Sequence, residues 1–195
     1  RHLGLVGCNI TYMKRFEIVL LVMPLLYWAG CGDEENEDNE DNPVSPGRTI
    51  YSAGSDADGA CYWVNGSRVE LPGGYIATDI VVNNGNVYTS GSADDACYWI
   101  NQTRYDLPGD GGEGEAIAVH DNDVYVAGWY NDGSCYWKNG ERIDLTTNAE
   151  SQAFAVGIRS NGGVYVGGYY MNNHHYYIPC FWKNGNRTNL PIPSG

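Results

Sequence analysis

The sequence predicts an all-β fold made of about four small antiparallel sheets, and three observations support this expectation. Glycine (26 residues), tyrosine (16) and tryptophan (6) are abundant, and such a composition favours strands and tight turns. From residue 49 onward the chain repeats itself, with equivalent cysteines separated by 36, 38 and 45 residues. Each copy contains short β-forming runs bounded by turn residues. These cysteines are Cys61, Cys97, Cys135 and Cys180.

Each copy is predicted to form a meander of up to four strands, which we name a to d. Strand a alternates small and apolar residues and occurs three times, as ATDIVV, AIAVHD and AFAVGI. Strand b reads IYSAG, VYTSG, VYVAG or VYVGG, strand c reads CYW or CFW, and strand d reads SRVEL, TRYDL, ERIDL or NRTNL. Asn-Gly joins strands c and d in three copies, which predicts type I′ turns because both residues tolerate a positive φ. The units run over about 49–72, 77–108, 115–146 and 152–190, and the first lacks strand a.

Four antiparallel strands in about 40 residues, repeated with glycine and aromatic markers, are typical of a β-propeller blade. We therefore expect a β-propeller-like array of about four four-stranded blades. Tyr62 would point to one face of its blade and Cys61 and Trp63 to the other, with both faces covered. Because strand a is missing from the first copy, we expect the chain to be a fragment of a larger propeller. A four-bladed ring and an open array are the alternatives.

The order of these elements resembles a known repeat family. The pattern A-x-x-V, V-Y-V-A-G, C-Y-W-x-N-G-x-x-x-D-L is similar to the extracellular His-Ala-Phe (HAF) repeats and to propeller-like repeat lipoproteins of gut Bacteroidetes. The resemblance covers residues 49 to 190, with Cys-Tyr in place of Ala-Phe. It implies a propeller-like fold outside the cytoplasm and brings no catalytic residues with it.

The segment 13–30 resembles a bacterial lipoprotein signal peptide. A short charged segment begins at Met13. It is followed by the apolar run IVLLVMPLLYWAG and then by Cys31. Such a run is shorter than the roughly 20 residues needed to span a bilayer. The resemblance implies lipidation of Cys31, although Trp28 stands where Leu, Val or Ile is usual. An ordinary secretory peptide is the alternative, and residues 1–12 are expected to be upstream translation.

Residues 31–48 are predicted to be a disordered acidic tether. Seven acidic residues lie between Asp33 and Asp41, and without aromatic rings the segment cannot bury enough apolar surface to fold. Acidic residues directly after the cysteine resemble the signal that sends Bacteroidetes lipoproteins to the outer face of the outer membrane, and a solvated spacer is the alternative. We therefore expect a cell-envelope, outer-membrane lipoprotein exposed at the surface. The net charge of −13 argues against a nucleic-acid partner.

Binding residues are expected where the copies diverge, in the b–c and d–a loops, which leave a propeller on the same face. Aromatic rings there could stack on sugars while carboxylates bind hydroxyl groups, although Asp, Asn and Gly also simply make good turns. Adjacent histidines on an extended segment would point in opposite directions, which predicts a polar-aromatic contact surface and not a metal site. The candidates are Asp94, Asp95, Trp129, Tyr130, Asp132, Tyr170, His174, His175 and Tyr176.

The sequence contains no motif of a catalytic or cofactor site. It has no Gly-x-Ser-x-Gly, His-Glu-x-x-His or phosphate loop, and no Cys-x-x-Cys spacing for a metal. Cysteines on neighbouring blades are expected to be too far apart for disulfides, so we expect buried thiols. We therefore predict no cofactor, and a binding or scaffolding module for glycan or protein. One alternative is a glycan-active hydrolase or lyase that uses rim carboxylates such as Asp94 and Asp95, and another is a surface spacer without a ligand.

Overall fold

The computed structural model describes residues 48–131, 133–146 and 150–191. Within these ranges the chain is all-β, and it contains no helix that could cross a membrane. The predictions for the leader, for Cys31 and for the acidic tether lie outside the described residues, as does the candidate Asp132.

Fifteen strands form four antiparallel sheets, each with its strands in chain order. Sheet 1 consists of β1 (Tyr51–Asp56), β2 (Gly59–Val64) and β3 (Ser67–Glu70). Sheet 2 consists of β4 (Ile76–Asn83), β5 (Asn86–Ser92), β6 (Ala96–Ile100) and β7 (Thr103–Asp106). Sheet 3 consists of β8 (Gly112–His120), β9 (Asp123–Tyr130), β10 (Gly133–Lys138) and β11 (Glu141–Asp144). Sheet 4 consists of β12 (Ser151–Ile158), β13 (Val164–Met171), β14 (Tyr177–Lys183) and β15 (Asn186–Asn189).

This arrangement confirms the predicted blade-like array. Sheets 2, 3 and 4 have the expected order a-b-c-d, and sheet 1 has three strands because the first copy lacks strand a. Successive sheets pack face to face, so the core is divided into three clusters, one between each neighbouring pair. Among β1 to β15, the strands of sheets 1 and 4 make no substantial contact with each other.

The asparagine between strands c and d fastens the outer hairpin to the rest of its sheet. In sheet 3, Asn139 (φ 51°) and Gly140 (φ 84°) form the expected turn of two positive φ values. The Asn139 Oδ1 accepts a hydrogen bond from the Val124 N–H at 2.8 Å, and the Asn139 N–H donates to the Val124 carbonyl at 2.9 Å. The same pair of bonds occurs in every sheet, at Asn65, Asn101, Asn139 and Asn184.

The glycine that ends the VYxxG element faces a β-bulge in strand a. The pairing of strands a and b shifts by one residue in sheets 2, 3 and 4, and the bulge pushes a strand-a carbonyl toward the glycine. A Cβ at Gly128 would overlap the carbonyl oxygen of Glu113, and one at Gly168 would overlap that of Gln152. The glycine is therefore required where strand a is present.

The Cys-aromatic-Trp strand contributes to two different interfaces, because its side chains alternate between the faces of the sheet. In sheet 2, Cys97 and Trp99 pack against sheet 1 while Tyr98 packs against sheet 3. Sheet 3 repeats this arrangement, with Trp137 against sheet 2 and Tyr136 against sheet 4. The motif therefore forms core, as predicted.

Sheet 1 departs from the expectation that both faces are covered. Tyr62 is buried against sheet 2, but no described sheet lies against the face that carries Trp63, and Trp63 is only half-buried. The expectation of covered faces was therefore wrong for Trp63, because this large side chain is fully buried only where a second sheet packs against its face, whereas the small Cys61 on the same face is already buried.

The four described cysteines are buried free thiols. Burial raises their thiol pKa, to about 12 for Cys97 and about 11 for Cys180. Such thiols stay protonated near neutral pH and behave as small apolar side chains.

Candidate functional site

The b–c and d–a connections lie at the same end of the sheets, as the sequence predicts, and hydrogen bonds join them. The Tyr75 hydroxyl, before strand a of sheet 2, donates to Asp94 Oδ1 at 3.0 Å, in the b–c loop of the same sheet. In sheet 4 the Tyr177 hydroxyl donates to Glu150 Oε1 at 2.9 Å. We call this end the loop end.

Two of the predicted site residues, Asp94 and Asp95, occupy the b–c loop of sheet 2 and do different things. Asp95 is half-buried, and its Oδ1 accepts a hydrogen bond from the Gly111 N–H at 2.6 Å. It therefore anchors the d–a loop, which agrees with the turn-forming alternative. Asp94 is exposed, and its hydrogen bond with Tyr75 raises the pKa of that tyrosine. Asp94 and Asp95, the carboxylates that a hydrolase would use, therefore each accept a hydrogen bond from a residue of a d–a connection.

Trp129, Tyr130 and Tyr170, predicted as loop residues, lie instead at the ends of β9 and β13. The Trp129 indole N–H donates to Glu115 Oε1 at 3.1 Å. All three side chains are half-buried and part of the sheets.

Both tyrosines of this group lie under arginines of strand d. The Arg142 guanidinium is 3.8 Å from the centre of the Tyr130 ring, and Arg187 is 3.5 Å from that of Tyr170. Sheet 1 has Asp56 at the equivalent position, where it forms an ion pair with Arg68 at 2.6 Å. The residue at this position therefore contacts the strand-d arginine in sheets 1, 3 and 4.

The fourth b–c loop is a turn organised by Asn172. Its Oδ1 accepts hydrogen bonds from the N–H groups of His174 (2.9 Å) and Tyr176 (3.0 Å). Its carbonyl accepts from the His175 N–H at 3.0 Å, and His175 has a φ of 62°. The expectation of an extended segment was therefore wrong, because an Asx-type turn, which Asn favours, competes with the strand. The side chains of His174, His175 and Tyr176 are exposed.

Next to this turn the structure places one carboxylate–tyrosine hydrogen bond and two aromatic ring contacts that no sequence pattern predicts. Tyr177, 49% exposed, lies edge-on to Tyr169 with ring centres 4.8 Å apart, and Tyr169 contacts Phe154 at 5.7 Å. The hydrogen bond to Glu150 raises the pKa of Tyr177. Residue 150 precedes strand a and residue 177 begins strand c, so no local pattern links them.

We call Glu150, His174, Tyr176 and Tyr177 the tyrosine patch. It lies at the loop end of sheet 4, whereas Asp94 and Tyr75 lie on sheet 2 with sheet 3 between them. The predicted candidates are therefore distributed over sheets 2, 3 and 4. Of the described candidates, His174, His175 and Tyr176 are consecutive in the chain and all exposed, in the b–c loop of sheet 4.

Asp56 and Asp123 lie on sheets 1 and 3, away from this patch, and the pKa of each carboxylate is lowered. A hydrogen bond from Arg68 lowers the pKa of Asp56, and one from Lys138 lowers the pKa of Asp123. A general acid needs the opposite shift. Among the described residues, no group of three His, Cys, Asp or Glu side chains could hold a metal ion.

Comparisons with protein-family models, with curated proteins and with solved structures found no match.

Proposed function

We propose that this protein is a lipid-anchored module of the cell envelope that binds a neutral glycan at the tyrosine patch. The observation that carries the proposal is Tyr177, whose half-exposed ring is oriented by a hydrogen bond from its hydroxyl to Glu150.

The rings of the patch offer a surface for sugar stacking. Tyr176 is 67% exposed and adjoins Tyr177, so two aromatic rings are available at one loop. Apolar C–H faces of sugars stack on such rings, and tyrosine presents a large contact area with few rotatable bonds.

The polar groups of the patch suit hydroxyl groups. A glutamate oxygen and a tyrosine hydroxyl at 2.9 Å can share their remaining hydrogen-bonding capacity with a sugar hydroxyl, and the exposed His174 ring can add another contact. Because Glu150 is acidic and the chain carries a net charge of −13, a neutral glycan fits better than an acidic one.

The ring is also held in place before any ligand arrives. Tyr177 is fixed by Glu150 on one side and by the edge contact with Tyr169 on the other. Less side-chain entropy is then lost on binding, which favours affinity.

Binding of neutral oligosaccharides on a glycan array, followed by calorimetry, tests the proposed site. We expect Tyr176→Ala or Tyr177→Ala to weaken binding about tenfold, since an aromatic contact contributes about 1.4 kcal/mol. Tyr75→Ala is the matched control, because Tyr75 is equally exposed and also donates to a carboxylate, and it should bind as the wild type does. No binding of any neutral glycan, or equal losses in the three variants, would contradict the proposal.

The anchoring part of the proposal rests on the resemblance of residues 13–31 to a lipoprotein signal. Metabolic labelling with a clickable fatty acid should tag the wild-type chain, and Cys31→Ala should abolish the label and release the protein from the outer-membrane fraction. Cys8→Ala is the control, since Cys8 precedes Met13. Labelling that survives Cys31→Ala would exclude this anchor.

A further inference from the structure

Sheets 1 and 4 each expose one half of the interface that joins neighbouring sheets inside the chain. We call the side of a sheet that carries its strand-c tryptophan the Trp face, and the opposite side the Tyr face. At each internal interface the Tyr face of one sheet covers the Trp face of the next. The Trp face of sheet 1 and the Tyr face of sheet 4 have no described sheet against them.

The internal interface has a recurring hydrogen bond as well as a core. Trp99 is fully buried and shares a cluster with Tyr62 and Leu71 of the preceding sheet. Its indole N–H donates to the Pro72 carbonyl at 3.2 Å, directly after that leucine. Trp137 repeats the contact with the Pro108 carbonyl at 3.0 Å, whereas the Trp182 indole N–H has no partner among the described residues.

The Trp face of sheet 1 carries the same strand-c cysteine and tryptophan, but no described sheet covers it. Ser52 pairs with Trp63 across strands b and c and is exposed. The equivalent residues of the other sheets are fully buried, and these are Thr89, Val126 and Val166. Ser52 thus lies at an interface position against which no described sheet packs.

The Tyr face of sheet 4 has the complementary residues. Phe181 and Leu190 stand where Tyr62 and Leu71 stand in sheet 1, and Leu190 is 37% exposed whereas Leu71 is 1% exposed. Leu190 is followed by Pro191, as Leu71 is by Pro72. Ala155 of strand a, which lies in the same cross-strand row as Phe181 through Gly167 of β13, is also exposed.

We propose that the Trp face of sheet 1 binds the Tyr face of sheet 4 of a second copy of this chain. The Trp63 indole N–H donates to the Pro191 carbonyl of that copy, as Trp99 donates to Pro72 within one chain. The contact is heterologous, because two different surfaces meet, so each copy keeps one free face for a further copy. It continues an interface that the chain already forms three times between its own sheets.

Sedimentation of the full chain, with every variant in the same mild detergent, tests this head-to-tail contact. We expect wild-type association to increase with concentration. Ser52→Arg blocks the Trp face and Ala155→Arg blocks the Tyr face, and each should weaken association at least tenfold because an arginine would be buried unpaired. Thr103→Arg, on the exposed outer strand β7, is the matched control and should associate as the wild type does.

Mixing the two blocked variants identifies which faces meet. Ser52→Arg keeps an intact Tyr face and Ala155→Arg an intact Trp face, so the mixture should form one-to-one dimers that neither variant forms alone. A wild-type chain that stays monomeric, association that survives both substitutions, or a mixture without dimers would overturn the proposal. Far-ultraviolet circular dichroism of each variant confirms that it is folded before sedimentation.

Discussion

Sheets 1 and 3 carry nearly the same motif, yet the structure uses the motif differently in each. Trp137 of sheet 3 is 1% exposed, donates to the Pro108 carbonyl and is packed against sheet 2. Trp63 of sheet 1 is only half-buried because no described sheet lies against it. The repeated sequence therefore encodes half of an interface, and the other half belongs to the neighbouring copy.

The two sheets also differ at the glycine that ends strand b. Gly128 faces the bulged strand a of sheet 3, whereas Gly54 has no strand a beside it. A Cβ at Gly54 would meet only the tip of the Trp63 ring, at 3.1 Å. In sheet 3 the backbone of strand a leaves room only for glycine at this position, whereas in sheet 1 the glycine borders only the Trp63 side chain.

The largest expected difference between the two sheets comes from adding a methyl group at these two glycines. Gly128→Ala should lower the free energy of unfolding by about 3 kcal/mol or more, because the Glu113 carbonyl cannot move without breaking the bulge. Gly54→Ala should cost less than about 1 kcal/mol, because a ring tip can shift and the unfolded chain loses entropy. Urea unfolding followed by tryptophan fluorescence measures both.

Equal costs at the two positions would break this comparison, since they would mean that strand a does not decide the need for glycine. Gly168→Ala provides a second bulged copy in sheet 4 and should resemble Gly128→Ala.

The next difference between the two sheets comes from truncating the two tryptophans. Trp137→Ala should lower the free energy of unfolding by about 4 kcal/mol, the usual cost of emptying a fully buried tryptophan site. Trp63→Ala should cost about 2 kcal/mol in the monomer, because less apolar area is buried there. Urea unfolding at the lowest measurable protein concentration compares them, and a higher cost for Trp63 would refute the interface explanation.

The smallest effect concerns the contacts of the strand-d arginine, which pairs with Asp56 in sheet 1 and in sheet 3 lies over the Tyr130 ring and pairs with Asp144. Arg68 lowers the pKa of Asp56 below 3.8, so this carboxylate stabilises the fold above that pH and the stabilisation is lost as the pH falls further. Between about pH 6 and pH 3, wild type should therefore lose more stability than Asp56→Asn does.

Tyr130→Phe is the control for this pH dependence, because it keeps the aromatic ring under Arg142 and removes no acidic group that titrates in this range. Its acid slope, measured by urea unfolding at each pH, should equal that of wild type. An Asp56→Asn slope indistinguishable from wild type would mean that the ion pair has no measurable role in folding.

The candidate site was less predictable than the sheets, and particular residues show why. His174 and Tyr176 could be identified because their loop is longer and richer in aromatic residues than the other b–c loops. The partnership of Tyr177 with Glu150 could not, because the two residues are 27 positions apart and meet only where the d–a and b–c connections come together. Tyr130 and Tyr170 look like loop residues in the sequence but lie in β9 and β13, paired with strand c, with arginines of strand d over their rings.

The sequence alone determined the strands, the turns and the alternation of faces, because these depend on local chemistry that recurs in each copy. Asn-Gly favours positive φ, and a strand places Tyr98 and Trp99 on opposite sides whatever surrounds it. Only the tertiary structure decided which faces are buried and which glycines are required. Burial depends on a neighbour far along the chain, so Trp63 and Trp137 share a motif but not an environment.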